Sequence, residues 1–189
     1  MQLTNFFEDR LLIAESLDEG GDLSMINTFA TDLPRVFIVA AASHFETVVT
    51  DYIHDFFSET SQENPAVLEF MKRKALFRNY HTLFEWKGNS ANGFFAVFGE
   101  ERTKHYKALV QDTDWVGPAA SDFLKLGRAR NELVHGDFAS HSPSLSAKEV
   151  QQRFISAQRF VQCIPAVIRL QDIPAAAAGT PPAEIVQSS

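Results

Sequence analysis

Residues 36–42 decide the fold class, because this run is apolar on every side of a helix and is therefore expected to be buried. It reads Val36-Phe37-Ile38-Val39-Ala40-Ala41-Ala42. After it, apolar residues recur every three or four positions, which predicts one buried helix face; they are Phe45, Val48, Val49, Tyr52, Ile53 and Phe56. Asp32 is suited to cap this helix and Pro34 to lie in its first turn. The sequence thus predicts a long central helix running from about Pro34 to Ser58.

Two shorter helices are predicted before the central one. Residues 5–17 carry apolar side chains at spacings near 3.6 with charges between them, and Gly20-Gly21 ends the pattern. Residues 23–31 form a second, short piece. The first sixty residues are therefore expected to build three consecutive helices.

The helices of the second half are marked by caps and prolines. They comprise residues 66–86 after Asn64-Pro65, residues 100–111, the segment from Pro118 to Val134, and a last helix that Ser146 caps and Pro165 is expected to kink or end. Residues 87–93 and 137–146 are loops by composition. Since no strand and no repeat is convincing, the predicted class is all-α, a bundle of six or seven helices.

Domain organisation follows from the length and from the C-terminal composition. The 189 residues, 45% of them apolar, suit one domain with a substantial core, which we assign to residues 1–173. Residues 174–182 read Pro-Ala-Ala-Ala-Ala-Gly-Thr-Pro-Pro, a composition that cannot build a core. Residues 174–189 are therefore expected to be a disordered tail.

Charge and composition narrow the classes of function. The formal charge of −7 argues against a protein that coats nucleic acid through an overall positive field, so any RNA site must be local. The seventeen Phe residues recur at helical spacing and are expected to fill the core rather than to stack on bases. Cys163 is the one cysteine, which excludes an internal disulfide. We expect a cytoplasmic protein without a membrane span, because no basic region precedes an apolar run at the N-terminus.

The spacing of the histidines and the residues that follow the glycines argue against a metal site and against a phosphate-binding loop. His44 and His54 stand ten residues apart, and no His-x-x-Glu or His-x-x-x-His pair occurs on one helix face. Gly20-Gly21 is not followed by the Lys-Ser/Thr of a phosphate-binding loop. No metal and no cofactor is therefore expected.

One stretch gathers a cation, an amide, a carboxylate and an imidazole within two helical turns. It reads Gly127-Arg128-Ala129-Arg130-Asn131-Glu132-Leu133-Val134-His135-Gly136. On a helix, Asn131 and His135 share a face, and Gly136 is the residue that most easily takes a positive φ beyond the helix end. This set suits cleavage of RNA by its own 2′-hydroxyl, with His135 moving a proton and Arg130 holding the phosphate. Spacing alone favours the other interpretation, in which Arg130 and Glu132 belong to surface ion pairs and His135 merely caps a helix.

The run Arg130-Asn131-Glu132-Leu133-Val134-His135 resembles the Arg-x4-6-His signature of the HEPN superfamily, with Asn directly after Arg as in its nuclease members. The long early helix with Ala41-Ala42-Ser43-His44-Phe45-Glu46 resembles the family's helix that bears an acidic residue. Phe123-Leu124-Lys125-Leu126-Gly127 before the signature and His135-Gly136-Asp137-Phe138 at its end resemble the RiboL-PSP and related stand-alone HEPN groups. The resemblance spans roughly residues 30–170.

The resemblance implies a helical bundle that dimerises with its two signature helices facing each other. It implies a metal-independent endoribonuclease of a toxin–antitoxin, phage-defence or RNA-processing system, with Arg130 and His135 catalytic, Asn131 supporting them, and Glu46 a partner for Arg130. Lys125 and Arg128 are expected to contact flanking RNA phosphates. An antitoxin or another regulatory protein is a possible partner. The alternative is a non-catalytic HEPN-like module that binds RNA, nucleotide or another protein.

Overall fold

The computed structural model describes residues 2–18, 23–76, 79–136, 143–174 and 177, and within these ranges the chain is helical and contains no strand. The helices are α1 (Gln2–Asp18), α2 (Leu23–Thr60), α3 (Pro65–Met71), α4 (Asn92–Ala96), α5 (Glu100–Asp112), α6 (Val116–His135) and α7 (Ala147–Arg169). A π-helical turn, Lys72–Leu76, follows α3, and a 3-10 turn, Tyr80–Thr82, comes next along the chain. The prediction of an all-α bundle is confirmed.

The core lies among α2, α6 and α7. α7 packs along both of the others, α6 also contacts α2, and α1 covers the α2 and α7 side. Phe45 joins the three helices, because its ring stacks on Phe154 of α7 at 5.1 Å and meets Phe123 of α6 edge-on at 5.5 Å. Both aromatic geometries are favourable. Nine of the fifteen described phenylalanines are buried in the core, as their spacing predicts, whereas Phe70 is 68% exposed.

The first half differs from the prediction at Pro34. One helix, α2, runs from Leu23 to Thr60 with Pro34 inside it, where a short helix and a new start were expected. Asp32 does not open a helix; its Oδ1 accepts from Nη1 of Arg35 at 2.7 Å. A proline inside a helix costs about 3 kcal/mol, and the burial of its neighbours Leu33, Phe37 and Ile38 offsets that cost. The predicted stop at Gly20-Gly21 lies outside the described residues.

The predicted helix over residues 66–86 is also wrong beyond its first two turns. Its start is confirmed, since the Asn64 side chain accepts from the backbone N–H groups of Ala66 and Val67. After Met71 the helix widens into the π turn and then gives way to turns. Aromatic packing explains the change, because it brings Tyr80 and Phe84 into the core around α6, which a straight helix would not do.

The last two long helices end differently from expectation. α6 extends to His135 as predicted, but Gly136 has φ −90° and not a positive φ. α7 begins at the predicted Ser146 cap and passes through Pro165 to Arg169, so Pro165 does not end it. Most of residues 174–189 lie outside the described part, where the predicted disordered tail stays a prediction. Ala177 is described and buried, and its carbonyl accepts from Nε of Arg159 at 3.0 Å.

α2 is long and apolar enough to cross a bilayer by length and composition alone, with a mean hydropathy of 1.3 over its most apolar 18 residues. A third of that window is buried inside the domain. The core helices of proteins outside membranes share this length and composition. The absence of a membrane contact stays a prediction.

Candidate active-site cleft

A partly enclosed cleft opens between α2, α6 and residues 79–86, which we call the aromatic segment. α2 contributes Ala42, Phe45 and Glu46, the aromatic segment contributes Tyr80, His81 and Trp86, and α6 contributes Phe123, Gly127, Arg130 and Asn131. Its enclosed volume is about 60 Å³, room for a few water molecules. The cleft is therefore lined both by polar side chains and by aromatic rings.

Trp86 holds the aromatic segment against α6. Its indole Nε1 donates to the His81 carbonyl at 2.7 Å, and its ring lies against the backbone of Gly127. A β-carbon at position 127 would lie 2.1 Å from Cζ3 of Trp86, far inside van der Waals contact. Glycine is therefore required at this position for the wall of the cleft to close.

Arg130 supplies the cleft with a cation that no carboxylate neutralises at contact distance among the described residues. Its Nη1 donates to Oδ1 of the adjacent Asn131 at 3.2 Å, and both side chains are half-buried. Ion pairs engage six of the other described arginines, namely Arg35, Arg73, Arg102, Arg128, Arg153 and Arg169. The guanidinium of Arg130 thus keeps donors available for an anion.

The charges of Glu46 and Arg130 both act on the pKa of Tyr80, which lines the same cleft. Burial, and secondarily the Glu46 carboxylate, raise the pKa of Tyr80 far above its usual range, while Arg130 acts in the opposite direction. The Tyr80 phenol therefore stays protonated at neutral pH. Glu46, the predicted partner of Arg130, lines the same cleft. Among the described residues, however, the Glu46 carboxylate and the Arg130 guanidinium form no ion pair within 4 Å.

His135 lies outside this cleft. It is the last residue of α6, exposed, four positions after Asn131 on the same helix face. The end of a helix concentrates negative partial charge, which stabilises a cation there. The cleft of one chain therefore assembles Arg130, Asn131 and Glu46 from the predicted set, and His135 lies beyond its edge.

The predicted RNA-contacting residues also lie outside the cleft. Lys125 is exposed on α6, and Nε of Arg128 donates to Oε1 of Glu132 at 2.8 Å. The basic residues of the π turn, Lys72, Arg73 and Lys74, are exposed as well. Arg73 is paired with Glu69, so Lys72 and Lys74 are the two cations of that turn without an ion pair among described residues.

Sequence reasoning missed the aromatic segment altogether. Residues 66–86 read as one amphipathic helix, in which Tyr80, His81 and Trp86 carried no special signal. The clue available in the sequence was Gly127 in the middle of a helix, since a glycine there costs about 1 kcal/mol relative to alanine and often marks a close packing contact.

Comparison with known proteins agrees with the all-α fold. The family model described as RiboL-PSP-HEPN matches residues 4–169. The chain belongs to the RiboL-PSP-HEPN family. No curated protein and no solved structure matches it. The family match covers α1 through α7, so the cleft and the α6 signature both lie within the HEPN domain.

Among the described residues, no group of three or more His, Cys, Asp or Glu side chains is placed to hold a metal ion. The expected absence of a metal and of a cofactor stays a prediction.

Proposed function

We propose that the chain is a metal-independent endoribonuclease that cleaves RNA through attack of the 2′-hydroxyl on the adjacent phosphate. The observation that carries the proposal is Arg130, a half-buried guanidinium on the wall of a cleft, with no carboxylate partner at contact distance among described residues. A free guanidinium in a partly desolvated site is suited to bidentate contact with a phosphate. Membership of the HEPN family supports the same reading.

Each residue of the site has a separate proposed role in the reaction. Arg130 binds the phosphate and stabilises the charge that builds on its oxygens. Asn131 accepts from Arg130 at 3.2 Å and so limits the orientations of the guanidinium. His135, at the end of the same helix, donates a proton to the leaving 5′-oxygen. Lys125 and Arg128 are proposed to bind phosphates on either side of the cut.

Two copies are proposed to face each other through α6. His135 and Val134 are both exposed at the C-terminal end of α6, Val134 to 52%. A two-fold contact there would place each chain's Arg130 and His135 in one groove and double the positive charge, which the acidic monomer otherwise lacks. Light scattering tests this contact, and a strictly monomeric species at working concentration would remove it.

Purified protein incubated with total RNA in EDTA tests the activity. Cleavage that leaves 2′,3′-cyclic phosphate ends, and that is lost in both Arg130→Ala and His135→Ala, is the expected result. Lys104→Ala is the matched control, because Lys104 is an exposed cation of α5 that lies outside the cleft, where it pairs with Glu100. Intact RNA at a large excess of protein overturns the proposal.

The cleft also supports a second function, a non-catalytic module that binds RNA, nucleotide or a protein. The aromatic walls and Arg130 converge within one chain while His135 stays outside, an arrangement that suits a binding pocket. Binding of RNA by wild type, lost in Arg130→Ala, without any cleaved product would favour this function.

A role as a toxin or phage-defence effector is proposed from the family resemblance, with an antitoxin or other regulatory protein holding the activity in check. Failure to clone the wild-type gene beside ready cloning of His135→Ala is the expected sign of toxicity. Equal cloning efficiency of the two would count against this role.

A further inference from the structure

The cleft contains a histidine that the signature does not include. The proposed cleavage needs two proton transfers, one from the 2′-hydroxyl and one to the leaving 5′-oxygen. His135 provides for one of them. Of the described residues that line the cleft, His81 alone carries an imidazole, the side chain most used for proton transfer near neutral pH.

The backbone of His81 is fixed relative to α6. Its carbonyl accepts from Nε1 of Trp86 at 2.7 Å, and the Trp86 ring lies against Gly127, one helical turn before Arg130. On its other side, the Asn79 side-chain amide donates to the Lys74 carbonyl at 2.9 Å and ties the aromatic segment to the π turn. The His81 imidazole is exposed, so it can meet a substrate at the mouth of the cleft.

Charged and titratable groups reach the cleft from each of the three elements that line it. α2 contributes the Glu46 carboxylate, α6 contributes the Arg130 guanidinium, and the aromatic segment contributes the Tyr80 phenol. A phosphate held by Arg130 would therefore lie in the same cleft as the imidazole. The neighbouring ribose would face His81 and Glu46 rather than bare solvent.

We propose that His81 is the general base of the cleavage, acting in the same cleft as Arg130; this inference rests on the proposed ribonuclease function. Neutral His81 takes the proton from the 2′-hydroxyl. The 2′-oxygen then forms a bond to phosphorus while the bond from phosphorus to the 5′-oxygen breaks. The leaving oxygen keeps the electron pair and receives a proton from His135. The products are a 2′,3′-cyclic phosphate and a 5′-hydroxyl, and one proton has passed from His135 through the reaction to His81.

The roles of the two histidines follow from their positions. His135 lies exposed at the C-terminal end of α6, beyond the edge of the cleft, and is assigned the role of the acid. His81 lies in the cleft that also holds Arg130, and is assigned the role of the base. The assignment also completes the proton relay without a second copy of His135.

A purely structural role for His81 makes a different prediction. The hydrogen bond that anchors the aromatic segment uses the His81 carbonyl and not its imidazole. Any side chain at position 81 preserves that bond, so His81→Ala and His81→Gln are both expected to fold. Loss of activity in either variant therefore reports on the imidazole.

The test measures cleavage of a short RNA as a function of pH for wild type, His81→Ala and His81→Gln. The control is His54→Ala, since His54 is an exposed histidine of α2 beside Asp55, outside the cleft. In wild type the rate should rise with pH as the base loses its proton and fall as the acid loses its own. His81→Ala should lower the rate by roughly a hundredfold or more, abolish the rising limb and recover activity when imidazole is added.

The other outcomes distinguish a wrong assignment of His81 from a wrong proposed function. An active wild type whose rate and pH profile are matched by His81→Ala overturns the assignment and leaves the ribonuclease proposal standing. A slower His81→Ala enzyme that keeps both limbs and gains nothing from imidazole also overturns it, because it assigns His81 to binding. An inactive wild type refutes the proposed function itself.

Discussion

The Trp86 indole lies so close to the backbone of Gly127 that a β-carbon at position 127 would fall 2.1 Å from Cζ3 and 2.2 Å from Cε3 of the ring. Both atoms belong to a ring that also packs on Phe84 and Phe123, at centroid distances of 5.1 and 5.7 Å. The ring has little freedom to retreat. The Trp86 ring can therefore form one wall of the cleft only because residue 127 of α6 has no side chain.

Gly127→Ala is expected to displace Trp86 and to destabilise the domain by about 1–3 kcal/mol, the usual cost of overpacking a core. The displaced indole would lose its hydrogen bond to the His81 carbonyl. Denaturant unfolding measures the stability, and fluorescence in a Trp115→Phe background reports on Trp86 alone, with a red shift expected.

Gly93→Ala is the matched control for Gly127→Ala. Gly93 also lies inside a helix, α4, but a β-carbon there meets nothing within 4 Å. The change should leave Trp86 fluorescence unaltered and stabilise the protein by up to about 1 kcal/mol. Equal destabilisation by the two substitutions would contradict the account of Gly127.

The parts of the structure that could be predicted from sequence are those governed by local rules. Asn64 and Ser146 each cap a helix through contacts to residues two or three positions away, and both starts are where the sequence places them. The helical signature segment from Arg130 to His135 is likewise a local pattern. Periodicity and capping depend on near neighbours, which one sequence displays.

The parts that could not be predicted depend on distant contacts. Pro34 stays inside α2 because its neighbours are buried against the rest of the domain. The helix that residues 66–86 should form breaks because Tyr80 and Phe84 join a core built by residues far along the chain. His81 enters the cleft as a result of that break. The role of Gly127 is of the same kind, since it concerns a ring forty-one positions earlier in the sequence.

The N-terminal cap of α7 should be worth about 1 kcal/mol. The Ser146 side chain accepts from the Glu149 N–H at 3.3 Å, and the Glu149 carboxylate accepts from the Ser146 N–H at 2.7 Å. Ser146→Ala is expected to lower the free energy of unfolding by that amount in urea titrations. Ser144→Ala, an exposed position without such a bond among described residues, should change it little.

The same cap gives a pH dependence with a defined sign. The hydrogen bonds from Ser146 lower the pKa of Glu149, so their contribution is present above the usual glutamate range and is lost as the pH falls through the lowered value. The difference between wild type and Ser146→Ala should therefore be smaller at about pH 3 than at neutral pH. Alanine keeps the backbone N–H that donates to the Glu149 carboxylate, so a difference that is constant with pH would show that the Ser146 hydroxyl does not contribute to the lowered pKa.

The buried thiol of Cys163 is expected to make the folded state less stable at alkaline pH. Burial raises the pKa of its thiol from the ordinary value of 9.0 to about 12, so the folded state keeps its proton where the unfolded state has lost it. Stability from this group is complete below about pH 9 and declines as the pH rises toward 12, by about 4 kcal/mol in all. Cys163→Ala should flatten this decline between pH 9 and 11 in denaturant titrations. An unchanged decline would assign it to the buried tyrosines, whose pKa burial also raises.

Arg130 and Arg128 offer a test of geometry against charge, because they lie two residues apart on α6, one in the cleft and one outside it. Arg130→Lys keeps the charge but loses the paired donors that match a phosphate. Its cleavage rate is therefore expected to lie closer to that of Arg130→Ala, which should fall by about a hundredfold to a thousandfold, than to wild type.

Arg128→Lys should change cleavage little, since the exposed pair of Arg128 with Glu132 contributes only about 0.3–0.5 kcal/mol. If Arg128 does contact a phosphate, removing its charge in Arg128→Ala should weaken RNA binding about equally for every sequence and reduce the dependence of log affinity on log salt by about one unit. A full rate in Arg130→Lys would mean that the cleft needs only a positive charge, and the bidentate role of Arg130 would then be wrong.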